Sequence, residues 1–278
     1  MNSDPALASD SLVPATRRCR IVSVTGRETT AREDNVIAEE PLAIRFTTPA
    51  QITTRDWMVA MWTPGNGEAF LAGLLFAEGV IQTPAELLAI RWDSPNAVTI
   101  SLRELPDLAM RHTSNAACGA CGKNDLRALG LADITPLPEH FTRFPVDPRL
   151  LPATFNARLP QFAQTGGNHA AALVAPTGDI HPPMEDVGRH NAVDKAIGAA
   201  LLQGDLPAGH ALLVSSRLGF EIVQKAARAR IGLVLAMGAA SSLAVELADR
   251  TNITLVGFLS AERYNIYTHP QRLTPASS

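Results

Sequence analysis

The sequence predicts an α/β fold in two unequal parts: an open α/β sheet in the C-terminal half and a smaller α+β unit in the N-terminal half. Three observations predict it. Ala211–Ser215, Val234–Met237 and Ile253–Phe258 are apolar runs of strand length. Two helix-length segments, Gly219–Arg230 and Ser241–Arg250, separate them, and strand–helix alternation at this spacing calls for parallel crossovers. Upstream, Pro136, Pro138, Pro145, Pro148, Pro152 and Pro160 crowd residues 135–160, which reads as a connection with one short helix near its end.

Residues 1–16 read as a disordered lead-in, because Met1–Ala15 is rich in Ser, Asp, Pro and Ala. Residues 17–134 form the α+β unit. Within it, Leu42–Thr47 and Trp57–Trp62 are strands. Asn66 can cap a helix over Gly67–Glu78, whose Phe70, Leu71, Leu74 and Leu75 fall at helical spacing before the terminating Gly79. Ala97–Leu102 alternates like a half-buried strand. Residues 161–273 form the α/β unit, opening with a strand at His169–Ala175, a turn at Pro176–Asp179 and a helix over Gly188–Gln203. Residues 274–278 are a tail. Ligands of open α/β sheets sit beyond the carboxyl ends of the strands. That singles out Ser215–Arg217, Gly238–Ser242 and the segment after Gly257.

The chain has 278 residues and a formal net charge of −3, which argues against nucleic acid as the main partner. It has no apolar run of transmembrane length, so no membrane partner is expected. Arg17 and Arg18 form a twin arginine, but the apolar stretch of an export signal does not follow; a cytoplasmic location is expected. Three cysteines, Cys19, Cys118 and Cys121, are too few for a disulfide framework.

The chemistry centres on Ala117-Cys118-Gly119-Ala120-Cys121-Gly122. Two cysteines three apart, flanked by glycines, suit an accessible thiol pair. Lys123 and a helix beginning near Asn124 could favour the thiolate. Other readings stay open on these residues. Zinc would have to recruit His112 or His169, since there is no second pair. A thioredoxin-like redox pair fits the spacing, and two incidental cysteines fit as well.

The second half offers two denser strings. Thr165-Gly166-Gly167-Asn168-His169 opens a strand; its glycines suit either close approach to a ligand or a tight turn. In Glu185–Lys195, a helix would put His190, Asn191, Asp194 and Lys195 on one sector, and Val193, Ala196, Ile197, Ala200 and Leu201 on the other. The polar sector reads as a solvated face with a His190–Asp194 pair. Gly188 and Arg189 at the helix start suit an anion.

Together these segments resemble the formate dehydrogenase accessory sulfurtransferase family, FdhD. The matching pieces are Glu40–Arg45, Gly73–Gly79, Cys118–Gly122, Gly166–Leu173, Glu185–Lys195, Ser216-Arg217 with Phe220-Glu221, Ser242–Val245, Gly257-Phe258 and Asn265–Thr268. They cover roughly residues 20 to 273. The Glu-Asp-Val-Gly-Arg-His-Asn string beside the cysteine pair is highly specific. Two positions depart from the pattern: Ser215-Ser216-Arg217 stands for the usual Ser-Gly-Arg, and Gly219 for a usual serine.

The resemblance implies a cytoplasmic sulfurtransferase working through a cysteine persulfide. Cys118 is the expected carrier, and Cys121 a resolving or relaying partner. It implies sulfur taken from a cysteine desulfurase and passed to the molybdenum bis(molybdopterin guanine dinucleotide) cofactor, the cargo destined for formate dehydrogenase. No cofactor is expected to be permanently bound, and no metal site is expected. GDP or GTP should mimic the cargo's guanine end. The cofactor-binding stretch carried over is Phe258, Leu259, Ser260, Ala261, Glu262 and Arg263. With the residues singled out above, it adds Gly167, His169, Arg189, His190, Ser216 and Arg217. The α/β half is expected to resemble the cytidine deaminase fold, although His169-Ala170-Ala171 lacks the His-x-Glu of a zinc deaminase. A homodimer is an open possibility. The competing functions are a non-catalytic cofactor chaperone and a zinc-binding deaminase-like hydrolase.

Overall fold

A computed structural model describes residues 13–105, 135–138, 143–204 and 209–273. Cys118, Cys121, His112, Lys123 and Asn124 lie outside the described residues.

The chain begins with a two-stranded antiparallel ribbon, β1 (Thr16–Thr25) and β2 (Glu28–Ile37), turning at Gly26 with φ 63°. Glycine takes that left-handed conformation at little cost. Most ribbon side chains are exposed on both faces, so the strands carry no apolar alternation. The ribbon was not foreseen. A four-stranded sheet follows: β3 (Glu40–Thr48), β4 (Gln51–Trp62), β5 (Leu87–Ser94) and β6 (Ala97–Leu102), in the order β4-β3-β6-β5. β3 and β6 run parallel, and the other pairs are antiparallel. Between β4 and β5 lies α1 (Gly67–Ala77), buried along nearly its whole length and ended by Gly79 at φ 63°. A helix apolar all round belongs inside a core.

The proline-dense connection holds a short helix, α2 (Leu151–Asn156), and a second, α3 (Pro160–Thr165), begins at its last residue. The rest is one six-stranded mixed sheet. Its elements are β7 (His169–Val174), β8 (Met184–Asp186), α4 (Arg189–Leu202), β9 (Ala211–Val214), α5 (Phe220–Arg228), β10 (Leu233–Ala236), α6 (Ser242–Arg250), β11 (Thr254–Gly257) and β12 (Asn265–Thr268). The order is β12-β11-β10-β9-β7-β8. β9, β10 and β11 are parallel, as the spacing predicts, while β7 and β12 pair antiparallel to their neighbours. The parallel strands are buried at every residue, because helices or loops cover both faces.

One core runs through both sheets. Leu42, Ile44, Val98 and Ile100 of the first sheet join Phe70 and Leu75 of α1, Val193 and Ile197 of α4, and Leu212, Val234 and Leu255 of the second. A second cluster fills the opposite face with Phe155, Leu213, Leu235 and Leu259. α1 and α4 cross with their backbones almost touching. A Cβ on Gly198 would lie 1.9 Å from the Ala69 carbonyl oxygen, and one on Gly73 1.9 Å from that of Asp194.

The polar sector of α4 is not solvated. Asn191, Asp194 and Lys195 are buried, and the expected His190–Asp194 pair does not form. Lys225 takes Asp194, and His190 faces Glu221. The helical period identified the sector correctly, but period alone does not reveal that charges from other elements meet it.

Candidate functional site

The three segments singled out beyond the strand ends are bonded to one another. Gly238 N–H donates to the Ser216 carbonyl at 3.2 Å, and Phe258 N–H to the Gly238 carbonyl at 3.0 Å. Leu218 N–H donates to Ala239 O at 2.9 Å, and Ser241 N–H to Leu218 O at 2.9 Å. Gly238 is required here: a Cβ would come within 2.7 Å of the Arg217 backbone nitrogen. The start of β7 arrives at the same edge because that strand is antiparallel. Ser215 N–H bonds Ala170 O at 3.0 Å, and Ser215 Oγ accepts from Ala170 N–H at 2.9 Å.

Residue by residue, the candidates divide into two groups. His169 is half-buried at the head of β7, beside Asp186 in register. Arg189 and His190 form the first turn of α4, and Arg217 is exposed just after β9. These four share one electrostatic neighbourhood. Burial lowers the His169 imidazole from its ordinary value; the charges of Arg189, His190 and Arg217 lower it further, against a weaker pull from Asp186. A cation is therefore disfavoured beside His169 and an anion favoured. Ser216 is buried, its hydroxyl donating to the Arg217 carbonyl at 2.9 Å. Gly167 is exposed against Ile37.

The second group follows β11. Phe258 is exposed in the left-handed region at φ 54°, an uncommon conformation for an aromatic residue. The Leu259 side chain belongs to the core. Ser260 closes a turn in which its Oγ accepts from the amides of Glu262 and Arg263, both at 3.2 Å. Ala261, Glu262 and Arg263 are exposed. Among the described residues, the hydrogen bonds that link Phe258 to the first group run through Gly238. Among the described residues, no hydrogen bond or ion pair joins Ser260–Arg263 to His169, Arg189, His190 or Arg217.

A buried polar joint holds Arg189 and His190 at this edge. Asp186 accepts four bonds: Gly188 N–H at 2.8 Å, Asn191 Nδ2 at 2.9 Å, Thr63 N–H at 3.0 Å and Lys195 Nζ at 2.8 Å. Lys195 Nζ also donates to the carbonyls of Thr63 and Glu185, and Asn191 Nδ2 to that of Met61. Glu185 accepts from the amides of Gln161 and Phe162 at the start of α3 and from Asn168 Nδ2. The joint thus ties β4, α3, β8 and α4 together. A buried network of this kind, in which Asp186 and Lys195 are each held by several partners, fixes geometry more than it adds stability. Within the string Glu185–Lys195, only Arg189 and His190 are left to face a ligand.

The FdhD/NarQ family model matches residues 37–274. The chain belongs to the FdhD/NarQ family. A relative named sulfur carrier protein FdhD, from Nocardia farcinica, is 38% identical over 275 residues, spanning 95% of this chain and 96% of that one. The protein of the same name from Sulfurisphaera tokodaii is 34% identical over 259 residues, spanning 92% and 98%. The crystal structure of a candidate formate dehydrogenase accessory protein from Desulfotalea psychrophila superposes with TM-score 0.74 at 26% identity, covering 94% of this chain and all of that one.

Sequence reasoning quoted Glu221 only within the matching pair Phe220-Glu221 and gave it no place among the site residues. Its carboxylate lies 3.7 Å from His190 Nε2. Burial alone would raise the Glu221 carboxyl; His190, its own backbone amide and Arg189 outweigh burial and hold it below the usual range. An acid in the first turn of a helix is so readily explained by the helix dipole that the match by itself suggests no role at the site. Among the described residues, no group of three or more His, Cys, Asp or Glu side chains is arranged to hold a metal ion, and no helix is long and apolar enough to cross a membrane.

Proposed function

We propose that this chain is a sulfur carrier, acting as a sulfurtransferase through a persulfide on Cys118. Its cargo is the molybdenum bis(molybdopterin guanine dinucleotide) cofactor destined for formate dehydrogenase, and its sulfur donor a cysteine desulfurase in the cytoplasm. One observation carries the reading. In a chain whose relatives are named sulfur carriers, the small-residue segments Ser215–Arg217 and Gly238–Ser242 and the cationic set Arg189 and Arg217 meet beside His169 and His190 at one sheet edge. That edge suits an anionic, nucleotide-tailed ligand. On this reading the six-stranded half is a cytidine-deaminase-like unit that holds a guanine nucleotide instead of hydrolysing a base.

The sulfur chemistry follows from thiol reactivity. The Cys118 thiolate attacks the outer sulfur of the donor persulfide. A new S–S bond forms on Cys118, and the donor cysteine leaves as its thiolate. Attack by the Cys121 thiolate on the Cys118 sulfur then releases the outer sulfur as sulfide to the bound cargo. The two electrons come from the cysteine pair, which ends as a disulfide that a cellular thiol must reduce. Mass spectrometry after incubation with a desulfurase and cysteine tests the scheme. Wild type should gain one sulfur, roughly 32 Da, and Cys118→Ser should not, while Cys19→Ser should behave as wild type. GDP binding without any sulfur uptake would leave only a cofactor chaperone.

A further inference from the structure

Thr63 follows the last residue of β4 and is fully buried, so it cannot touch a ligand. Its polar groups are all bonded, and all but one of those bonds go to the string that opens α4. The Thr63 N–H donates to Asp186 Oδ2 at 3.0 Å, and its carbonyl accepts from Lys195 Nζ at 2.8 Å. Its Oγ1 accepts from Val187 N–H at 3.0 Å and donates to the Ala38 carbonyl at 2.8 Å. Among side chains of this size, only a hydroxyl does both.

The residues that Thr63 holds lead straight into Arg189. Val187 N–H is fixed by Thr63, and Gly188 N–H by Asp186 at 2.8 Å. Gly188 opens α4, its carbonyl accepting from Ala192 N–H at 3.0 Å, and a Cβ on it would lie 2.9 Å from Asn191 Nδ2. Among the described residues, the Arg189 side chain makes no hydrogen bond or ion pair. No polar contact aims it, so the course of its backbone must.

We infer that Thr63 is a positioning residue for the anion edge: by fixing Asp186 and Val187 it sets the backbone from which Arg189 reaches the ligand. This rests on the proposed cofactor site for its ligand, but not for the hold on α4. The edge is then not a property of the six-stranded sheet alone. The four-stranded unit, through the end of β4 and the Ala38 carbonyl ahead of β3, supplies the support on which Arg189 stands.

Thr63→Val keeps the side-chain shape and both backbone bonds but removes the hydroxyl, which leaves Val187 N–H without its acceptor. Calorimetry should show GDP binding weakened about threefold or more. Thr63→Ser, which restores the hydroxyl, should bind as wild type does. In an Arg189→Ala background, adding Thr63→Val should cost nothing further, because the side chain it positions is gone. A merely structural role would lower the melting temperature and leave the affinity of the folded protein alone. Exchange of the Val187 amide hydrogen, followed by NMR, should quicken about tenfold or more in Thr63→Val and not in Thr63→Ser. Unchanged GDP affinity in folded Thr63→Val overturns the role, as does an equal loss with and without Arg189. If Thr63→Val does not fold, Thr63→Ala makes the same comparison. If wild type binds no GDP, the proposed ligand fails, while a Val187 amide that does not quicken overturns the hold on α4 by itself.

Discussion

Lys225 on α5 donates to both carboxylate oxygens of Asp194 on α4, at 2.7 and 2.9 Å, with both side chains buried. Burial pushes the Asp194 carboxyl up to about 6, against the opposing pull of Lys225. With the folded value above the unfolded one of 3.8, the folded state holds this proton more tightly. The group's contribution to stability is therefore full below about pH 4 and is lost as pH rises through about 6.

Lys225→Met should destabilise the protein by about 3 kcal/mol at neutral pH, because it strands a buried carboxylate. The deficit should be smaller at pH 5 than at pH 8, since the stranded carboxyl is then protonated. Asp194→Leu in the Lys225→Met background should recover much of the loss. Urea denaturation across pH measures all three. A pH-independent deficit would mean that Asp194 is not the group left unpaired.

Gly198→Ala should destabilise by about 1–3 kcal/mol or more, although alanine is the better helix former. The new Cβ would meet backbone, the Ala69 carbonyl oxygen at 1.9 Å and the Gly73 nitrogen at 2.6 Å, so α1 and α4 must separate. Because the two helices join the cores of both sheets, thermal unfolding should shift for the whole molecule rather than for one half. An unchanged midpoint would show that the crossing can open freely.

How far the sequence was readable depends on what each residue's pattern encodes. β9, β10 and β11 were visible because strands buried on both faces are continuous apolar runs, and α5 and α6 because helix-length segments separate those runs. β1 and β2 left no trace, since a ribbon exposed on both faces needs no apolar alternation. Lys195 and Asp194 looked like surface residues because their partners, Asp186 and Lys225, lie on other elements. The convergence of Ser216, Gly238 and Phe258 could be inferred from parallel topology alone. Their separation from Ser260–Arg263 could not, because it depends on the course of the loop between β11 and β12.

His169 offers a second pH-dependent reading. Its imidazole is lowered by burial first and by three neighbouring cations after it. The folded state therefore holds this proton less tightly than the unfolded chain. The group's stabilising contribution is present above the unfolded value near 6.5 and is lost as pH falls through the folded value. An anion bound at the edge offsets the neighbouring cations, so GDP should raise the pH at which His169 protonates. NMR titration with and without GDP checks this. No change on saturation would place the anion away from His169.

Arg217 should carry the largest single share of nucleotide affinity. It is exposed just after β9, free of any ion pair among the described residues, and its backbone nitrogen packs against Gly238, where a Cβ would lie 2.7 Å from it. A guanidinium can grip two phosphate oxygens at once, while the small residues of the Gly238–Ser242 turn let amides approach. Arg217→Ala removes the grip without disturbing the core, so the fold should be retained. Calorimetry with GDP should show at least about a tenfold loss of affinity, roughly 1.4 kcal/mol. Arg263→Ala should lose less, because the Ser260–Arg263 turn has no bond to the cationic set. Equal losses at the two positions would instead spread the diphosphate along the whole strand edge, and binding untouched by Arg217→Ala would move the pocket elsewhere.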